Sequence, residues 1–112
     1  MAVPSGLGSE VLKSFTGNIQ NNSFQLTAGT DEIITVLGWM VMGAGSSQSK
    51  LYAYFRRSST DYQFLYQFVQ VNETFVWNDK IVLEPGDTLK LTEVNNQIMP
   101  YNGNYILQDW AT

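Results

Sequence analysis

The sequence contains neither histidine nor cysteine. Without these side chains the chain cannot build the Ser-His-Asp or Cys-His systems of hydrolases, the usual zinc sites or the histidine-based iron centres of oxygenases. Disulfide bonds are excluded as well. The carboxylates fall at predicted turns and strand ends, and no pair has a recognisable catalytic spacing. We therefore expect a protein that is not an enzyme and that holds no cofactor or metal ion.

Charged residues are also scarce. They make up 14% of the chain, with a net charge of −4, against about 25% charged residues in typical globular domains. Only Arg56 and Arg57 are adjacent cations, and a phosphate backbone requires a larger positive cluster, so we expect no nucleic-acid partner. The longest apolar run, residues 33–44, is shorter than the ~20 residues of a spanning helix, so we expect no membrane partner. The first ten residues lack the pattern of a signal peptide, which predicts synthesis and folding in a cytoplasm.

Short apolar–polar alternations separated by Gly, Pro, Asn, Asp and Ser run through the rest of the chain. This pattern predicts an all-β fold, an antiparallel β-sandwich of jelly-roll type with eight to nine short strands and little or no helix. We place one domain at residues 11–112, after an extended N-terminal arm at residues 1–10. The predicted strands are Val11–Thr16, Ser23–Thr27, Ile33–Met42, Lys50–Arg57, Gln63–Val71, Thr74–Trp77, Ile81–Glu84, Leu89–Val94 and Tyr105–Asp109.

Three turns are predicted from residue type. Asn78-Asp79 suits a two-residue hairpin between its flanking strands, because Asn and Asp tolerate positive φ, and Trp77 anchors it by packing. The segment Glu84-Pro85-Gly86-Asp87 has the composition of a tight turn. Asn102-Gly103 is a typical turn dipeptide just before the last predicted strand.

The segment Ile33–Met42 is apolar on both faces, and Leu51–Phe55 repeats the pattern. A strand in a two-layer sandwich meets the core with one face only, and monomers rarely expose apolar patches of several hundred Å². We therefore predict a homo-oligomer, although loops of the same protomer are an alternative cover. The residues expected at the subunit contacts are Trp39, Met40, Met42, Tyr52 and Tyr54.

An aromatic row is predicted along one face of the fifth strand, formed by Tyr62, Phe64, Tyr66 and Phe68. An exposed row of this kind can stack on sugar rings or on single-stranded bases. Core packing and cross-strand aromatic pairs explain the same residues without a ligand. A carbohydrate-binding module is therefore kept as an alternative function.

Three segments together resemble small structural proteins of tailed bacteriophage virions. They are the Pro/Gly-containing start with its Glu-Val-Leu-Lys strand (residues 1–13), the segment 73–83 followed by Pro85-Gly86-Asp87, and the closing segment 105–110. The resemblance implies a capsid decoration (cement) protein, a homotrimer bound to the major capsid protein on the exterior of the virion. A tail or fibre-adaptor protein, or a carbohydrate-binding module displayed on the virion, is left open.

On this interpretation the N-terminal arm and the first strand attach the protein to a surface that exists only on the assembled, expanded shell. Many copies together would then stabilise the shell by mass action. The residues expected to make this attachment are Val3, Pro4, Leu7, Val11 and Leu12.

Overall fold

The computed structural model describes residues 9–110. Within this range the chain forms nine strands and no helix, and accordingly no helix that could cross a membrane. The predicted all-β fold is therefore confirmed, and each predicted strand overlaps an observed one. The strands are β1 (Ser9–Ile19), β2 (Ser23–Thr27), β3 (Glu32–Met42), β4 (Ser49–Arg57), β5 (Thr60–Val69), β6 (Thr74–Trp77), β7 (Ile81–Leu83), β8 (Thr88–Glu93) and β9 (Met99–Asp109).

The strands form two antiparallel sheets that pack as a sandwich. Sheet A has the order β1-β9-β3-β6, with β7 also paired to β3, and sheet B has the order β2-β8-β4-β5. Since β6 and β7 occupy one edge position, each sheet has four strand positions, which is a jelly-roll arrangement. Because β1 begins at Ser9, the first two described residues of the predicted arm, Ser9 and Glu10, belong to sheet A.

The predicted hairpin at Asn78-Asp79 is wrong. β6 and β7 do not pair with each other; both pair antiparallel with β3, Trp77 opposite Trp39 and Ile81 opposite Val36. Residues 74–83 therefore run along one edge of sheet A, interrupted at residues 78–80. The residue types that favour a hairpin turn here produce a break in an edge strand instead.

The predicted turn at Asn102-Gly103 is also wrong, because both residues lie within β9. Gly103 pairs with Phe15 of β1 and with Trp39 of β3. A Cβ atom built on Gly103 would lie 2.4 Å from Cζ of Phe15 and 2.8 Å from Cβ of Trp39. The glycine is therefore explained by close packing in the core, and the sequence alone does not distinguish this role from a turn.

A β-bulge in β3 changes which residues face the core. The register with β9 shifts between Val36 and Gly38. Ile34 and Val36 are buried before the bulge, and Trp39 is buried after it. One extra residue reverses the alternation. Strict alternation along residues 33–42 predicts Trp39 on the face opposite Ile34 and Val36, and this prediction is wrong because the bulge places all three on the core side.

Two groups of aromatic rings connect the sheets. Phe15 of sheet A stacks on Phe24 of sheet B with ring centroids 5.0 Å apart, and Tyr101 packs 4.6 Å from Phe24. Elsewhere Trp77 of sheet A stacks on Trp39 and meets Phe64 of sheet B edge-on at 5.2 Å. These contacts, together with buried aliphatic side chains, hold the sandwich closed.

The predicted turn at residues 84–87 is confirmed. The Asp87 N–H donates to the Glu84 carbonyl at 2.9 Å, and Gly86 has a φ of 89°. Proline at the second position and a glycine with positive φ at the third are typical of a type II turn.

Candidate interaction surfaces

The five predicted subunit-contact residues do not form one surface. Trp39 is 2% exposed and belongs to the core, so its side chain is not on the outside of the protomer. Met40 and Met42 lie on the outer side of sheet A, at 39% and 38% exposure. Tyr52 and Tyr54 lie on the outer side of sheet B, since their neighbours Leu51 and Ala53 are fully buried. The molecule therefore has two separate candidate surfaces.

Of the predicted attachment residues, Val3, Pro4 and Leu7 lie outside the described residues. Val11 and Leu12 are in β1 and are 45% and 67% exposed. Successive side chains of a strand point to opposite sides, so these two residues do not share a surface. Leu12 lies on the same side of sheet A as Met40 and Met42.

We call the outer side of sheet A face A. Its side chains are those of alternate residues on β1, β9, β3 and the β6/β7 edge, with the switch at the bulge included. They are Glu10, Leu12, Ser14, Thr16, Asn18, Pro100, Asn102, Asn104, Ile106, Gln108, Ile33, Thr35, Met40, Met42, Thr74, Val76 and Val82.

Face A carries a single charged side chain, Glu10, among these residues. One row of directly paired residues crosses all four strand positions: Leu12, Ile106, Thr35 and Val82. Val76 adds a further apolar side chain and is 47% exposed, and Val82 is 51% exposed. The face is therefore nearly uncharged and has a broken apolar band open to solvent.

A shallow depression of about 470 Å³ lies on face A beside the bulge. Met40 and Val76 line one part of it, and Ser14, Asn102 and Asn104 supply hydroxyl and amide groups. Gly38 carries no side chain and so leaves this space open. A Cβ atom at this position would fill part of it and lie 3.1 Å from the Trp77 carbonyl oxygen. The depression gives face A a shape into which a protruding side chain fits.

We call the outer side of sheet B face B. Its side chains alternate with the buried residues of β2, β8, β4 and β5. They are Ser23, Gln25, Thr27, Thr88, Lys90, Thr92, Lys50, Tyr52, Tyr54, Arg56, Asp61, Gln63, Tyr66 and Phe68.

The predicted aromatic row on β5 is divided by a register shift opposite Ala53 and Tyr54. Tyr66 and Phe68 lie on face B, where their rings meet edge-on at 5.2 Å. Phe64 contacts Trp77 of the other sheet instead. The continuous row expected from simple alternation is therefore wrong, because the extra residue at the shift turns one half of the strand relative to the other.

Tyr52 and Tyr54 of β4 lie on face B beside Tyr66 and Phe68, on the side where Tyr62 and Phe64 were expected. Tyr52 meets Tyr66 edge-on at 4.6 Å, and its centroid lies 6.2 Å from that of Tyr54. The neighbouring Tyr66 hydroxyl raises the pKa of Tyr52, with desolvation as a further cause. Four aromatic rings on two paired strands therefore form a patch that the sequence pattern assigned to a single strand.

Cations accompany these rings. Lys50 Nζ lies 5.8 Å from the centroid of Phe68, and Lys90 Nζ lies 5.4 Å from that of Tyr54. Asp61 forms ion pairs with Arg56 at 3.0 Å and with Lys90 at 3.4 Å. Desolvation acts to raise the pKa of Asp61, but the two cations outweigh it and lower the pKa overall.

Two buried carboxylates shape the ends of the sandwich. Asp87 accepts hydrogen bonds from Arg57 Nε at 2.9 Å and Nη2 at 2.6 Å, and from the Glu84 N–H at 2.9 Å. The Arg57 guanidinium lowers the pKa of the Asp87 carboxyl, and the backbone hydrogen bond acts in the same direction. This arrangement fixes the 84–87 turn against β4 and is structural.

Glu93 at the opposite end of β8 is fully buried, and the sequence analysis did not single it out. Its carboxylate accepts four backbone N–H groups, from Asn21, Lys50, Asn95 and Gln97, at 2.8–3.4 Å. It therefore joins the β1–β2 and β8–β9 loops to the start of β4 at this end of the sandwich. One pattern in the sequence could have indicated its burial. Leu89 and Leu91 mark the inward side of this strand, and Glu93 continues the same alternation.

No group of three or more Asp, Glu, His or Cys residues within 9–110 is arranged to hold a metal ion. Face A offers aliphatic side chains, amides and hydroxyls, and face B offers aromatic rings, hydroxyls, amides and a few cations. They are suited to binding another molecule.

Comparison with known proteins gives likeness in structure alone. No protein-family model and no curated protein matches the sequence. One similar solved structure is described as "Bacillus endospore appendages form a novel family of disulfide-linked pili"; it has a TM-score of 0.57 and 8% identity, over 99% of this chain and 97% of that chain. Another, "The crystal structure of Drosophila NLP-core provides insight into pentamer formation and histone binding", has a TM-score of 0.50 and 3% identity, over 81% of this chain and 96% of that chain. At these identities the likeness shows the sandwich fold only.

Proposed function

We propose that this protein is a non-enzymatic structural subunit that associates with copies of itself through face A. The observation that carries the proposal is a sheet surface with one charged side chain among seventeen and with Leu12, Met40, Met42, Val76 and Val82 exposed. Desolvating such a surface costs little, because few charges lose water, and the buried apolar area favours association.

The area of face A fits a second protomer. Strands of 11 residues at about 3.3 Å per residue and four strand positions at about 4.8 Å give a face of roughly 700 Å². Stable interfaces bury about 800 Å² on each partner. Sheet-on-sheet packing of two such faces is therefore sufficient in size for a specific contact.

The similar solved structures agree with a structural role without showing one. One of those structures is described as forming pili and the other in terms of pentamer formation. The 112 residues of the present chain contain no cysteine, so they cannot form the disulfide links named for that pilus. Association of these 112 residues therefore does not rest on disulfide bonds.

The more specific part of the proposal is that the assembly is a capsid decoration protein on the exterior of a phage virion, bound to the major capsid protein. It rests on the resemblance of residues 1–13, 73–87 and 105–110 to phage structural proteins. In this arrangement face A joins the copies to one another, and Val11, on the other side of β1, contributes to attachment.

Light scattering over a range of protein concentrations tests self-association. The wild-type protein is expected at a multiple of 12.6 kDa. Val76→Glu places a charge on face A, on its edge strand β6 beside the depression, and is expected to give the protomer mass with an unchanged circular dichroism spectrum. Gln25→Glu, the matched change on face B, is expected to leave the assembly intact. A wild-type protein that stays at 12.6 kDa at every concentration contradicts the proposal.

Cosedimentation with expanded shells of the phage that encodes the chain tests the virion role. Full-length wild-type protein is expected to pellet with the shells, and Val11→Asp is expected to remain in the supernatant while keeping its oligomeric mass. Binding to isolated tails instead of shells would favour the tail or fibre-adaptor role. A protein that binds neither particle overturns the virion assignment but not self-association.

A further inference from the structure

Face B has a charge opposite to that of the whole chain. Lys50, Arg56 and Lys90 lie on it with a single carboxylate, Asp61, which leaves two net positive charges. The complete chain has a net charge of −4. A basic surface on an acidic protein attracts anions locally, because the field near a surface is set by its closest charges.

The three cations are not equally available. Arg56 and Lys90 share the Asp61 carboxylate. Lys50 has no ion-pair partner among residues 9–110, and its ammonium lies beside the Phe68 ring. A single ammonium without an ion-pair partner suits a ligand that brings one anionic group to the site. A nucleic-acid strand would instead require a row of cations to meet its row of phosphates.

Exposed aromatic surface adjoins this ammonium. Tyr66 is 46% exposed and Phe68 is 40% exposed. The edge-on contact of Tyr66 with Tyr52 holds the first ring in place within the sheet. Rings fixed in this way present apolar surface without a large loss of conformational entropy on binding.

Hydrogen-bonding groups border the same end of the face. Gln70 Nε2 donates to Gln48 Oε1 at 3.0 Å, and these residues lie two positions beyond Phe68 and Lys50 along their strands. The backbone of Lys50 is also anchored, because its N–H donates to Glu93 and its carbonyl accepts from Val94. The ammonium and the rings are therefore held on strands β4 and β5, and the two paired amides lie just beyond the ends of these strands. A binding site requires such a fixed arrangement.

We propose that face B binds an acidic glycan, with the apolar side of a pyranose ring packed on Tyr66 beside Phe68 and its carboxylate paired with the Lys50 ammonium. The amides of Gln48 and Gln70 accept and donate hydrogen bonds to the sugar hydroxyls. A pyranose combines an apolar C–H surface with a polar rim, which matches rings bordered by amides. A charge-assisted hydrogen bond to the ammonium selects acidic over neutral sugars.

Calorimetric titration with three defined probes tests the proposal: tetragalacturonic acid, its fully methyl-esterified form, and a ten-nucleotide oligothymidylate. The wild-type protein is expected to bind the acid at least about fivefold more tightly than the ester, about 1 kcal/mol for the charged contact. Lys50→Gln is expected to remove this preference without weakening the ester. Tyr66→Ala is expected to weaken both sugars about tenfold, as loss of a stacking ring does in other sites.

Tyr62→Ala is the matched control. Tyr62 is an exposed tyrosine of the same strand, at 56% exposure, but it pairs with Phe55 beyond the register shift and away from Tyr66. Its removal is expected to change neither affinity. The proposal is overturned by the absence of sugar binding up to about 10 mM, a weak-binding limit in the range of fragment-like contacts, by equal affinity for acid and ester, or by an equal loss in Tyr62→Ala. Tighter binding of the oligothymidylate with the same dependence on Lys50 and Tyr66 also overturns it and favours a single-stranded nucleic acid.

Glycan binding and self-association are tested independently. Val76→Glu changes face A alone and is expected to bind the acid with wild-type affinity for each protomer. A failure of the glycan experiment therefore leaves the structural role intact, and a monomeric wild-type protein leaves the glycan site intact.

Discussion

Face A and face B lie on opposite sides of the same sandwich and differ in how their side chains are satisfied. Within residues 9–110, the one side-chain hydrogen bond on face A joins Gln108 to Glu10 at 3.3 Å. Face B has ring–ring contacts, cations beside rings, two ion pairs to Asp61 and a hydroxyl pair between Ser23 and Thr92.

The difference teaches that exposure alone does not identify an assembly surface. Side chains on face B already contact one another, so they stabilise the protomer whether or not a ligand is present. Most of those on face A have no hydrogen bond, ion pair or ring contact among residues 9–110, and they can gain such contacts from another molecule. We therefore expect substitutions on face B to change protomer stability, and substitutions on face A to change association.

The largest effect on protomer stability is expected from a substitution at Gly103, which lies in sheet A on the core side. Gly103→Ala places a Cβ atom against Phe15 and Trp39 in the core and is expected to lower the free energy of unfolding by about 3 kcal/mol, as overpacking does. Asn104→Ala, the next residue on β9 but on face A, is expected to change it by less than about 0.5 kcal/mol. Urea unfolding followed by tryptophan fluorescence measures both. Similar losses of unfolding free energy in the two variants would mean that side chains on face A also stabilise the protomer.

A smaller effect is expected from the rings of face B. Tyr52→Ala removes its contacts with Tyr54 and Tyr66 and is expected to lower the free energy of unfolding by about 1–2 kcal/mol. Val82→Ala on face A is expected to lower it by about 0.5 kcal/mol, mainly through strand propensity. Both variants should be measured in the monomeric Val76→Glu background, so that association does not contribute. A larger loss of unfolding free energy for Val82→Ala than for Tyr52→Ala would show that face A, and not face B, contributes more to the stability of the protomer.

The smallest effect on stability is expected from a change of pH, through the Asp61 carboxylate on face B. The folded-state pKa of Asp61 is lowered from its usual 3.8. Its contribution to stability is therefore complete above the unfolded-state pKa and is lost as the pH falls through the folded-state value. Asp61→Asn is expected to lower Tm slightly at pH 7, and the difference from the wild type should disappear in acid.

Comparing the Tm of these two proteins at each pH removes the contribution of Asp87, whose pKa is lowered as well and which is present in both proteins. A difference in Tm that persists unchanged in strong acid would show that the Asp61 side chain acts through packing and not through its charge.

Several features were predictable from residue type and spacing. Alternation in β8, where Leu89 and Leu91 are buried and Lys90 is not, gives the inward side of a strand directly. Pro85-Gly86 predicted its turn because proline restricts φ and glycine permits positive φ. The wrong turns at Asn78-Asp79 and Asn102-Gly103 have one cause: residues that permit a turn are also used where a strand breaks or packs closely.

The sequence by itself determined that the protein is a β-sandwich without disulfides and with few charges, because strand periodicity and composition are local properties. Only the tertiary structure decided which side chains share a surface. One extra residue in β3 moved Trp39 into the core, and a register shift in β5 separated Phe64 from Tyr66. Bulges of this kind are set by pairing with neighbouring strands distant in sequence, so no local pattern reveals them.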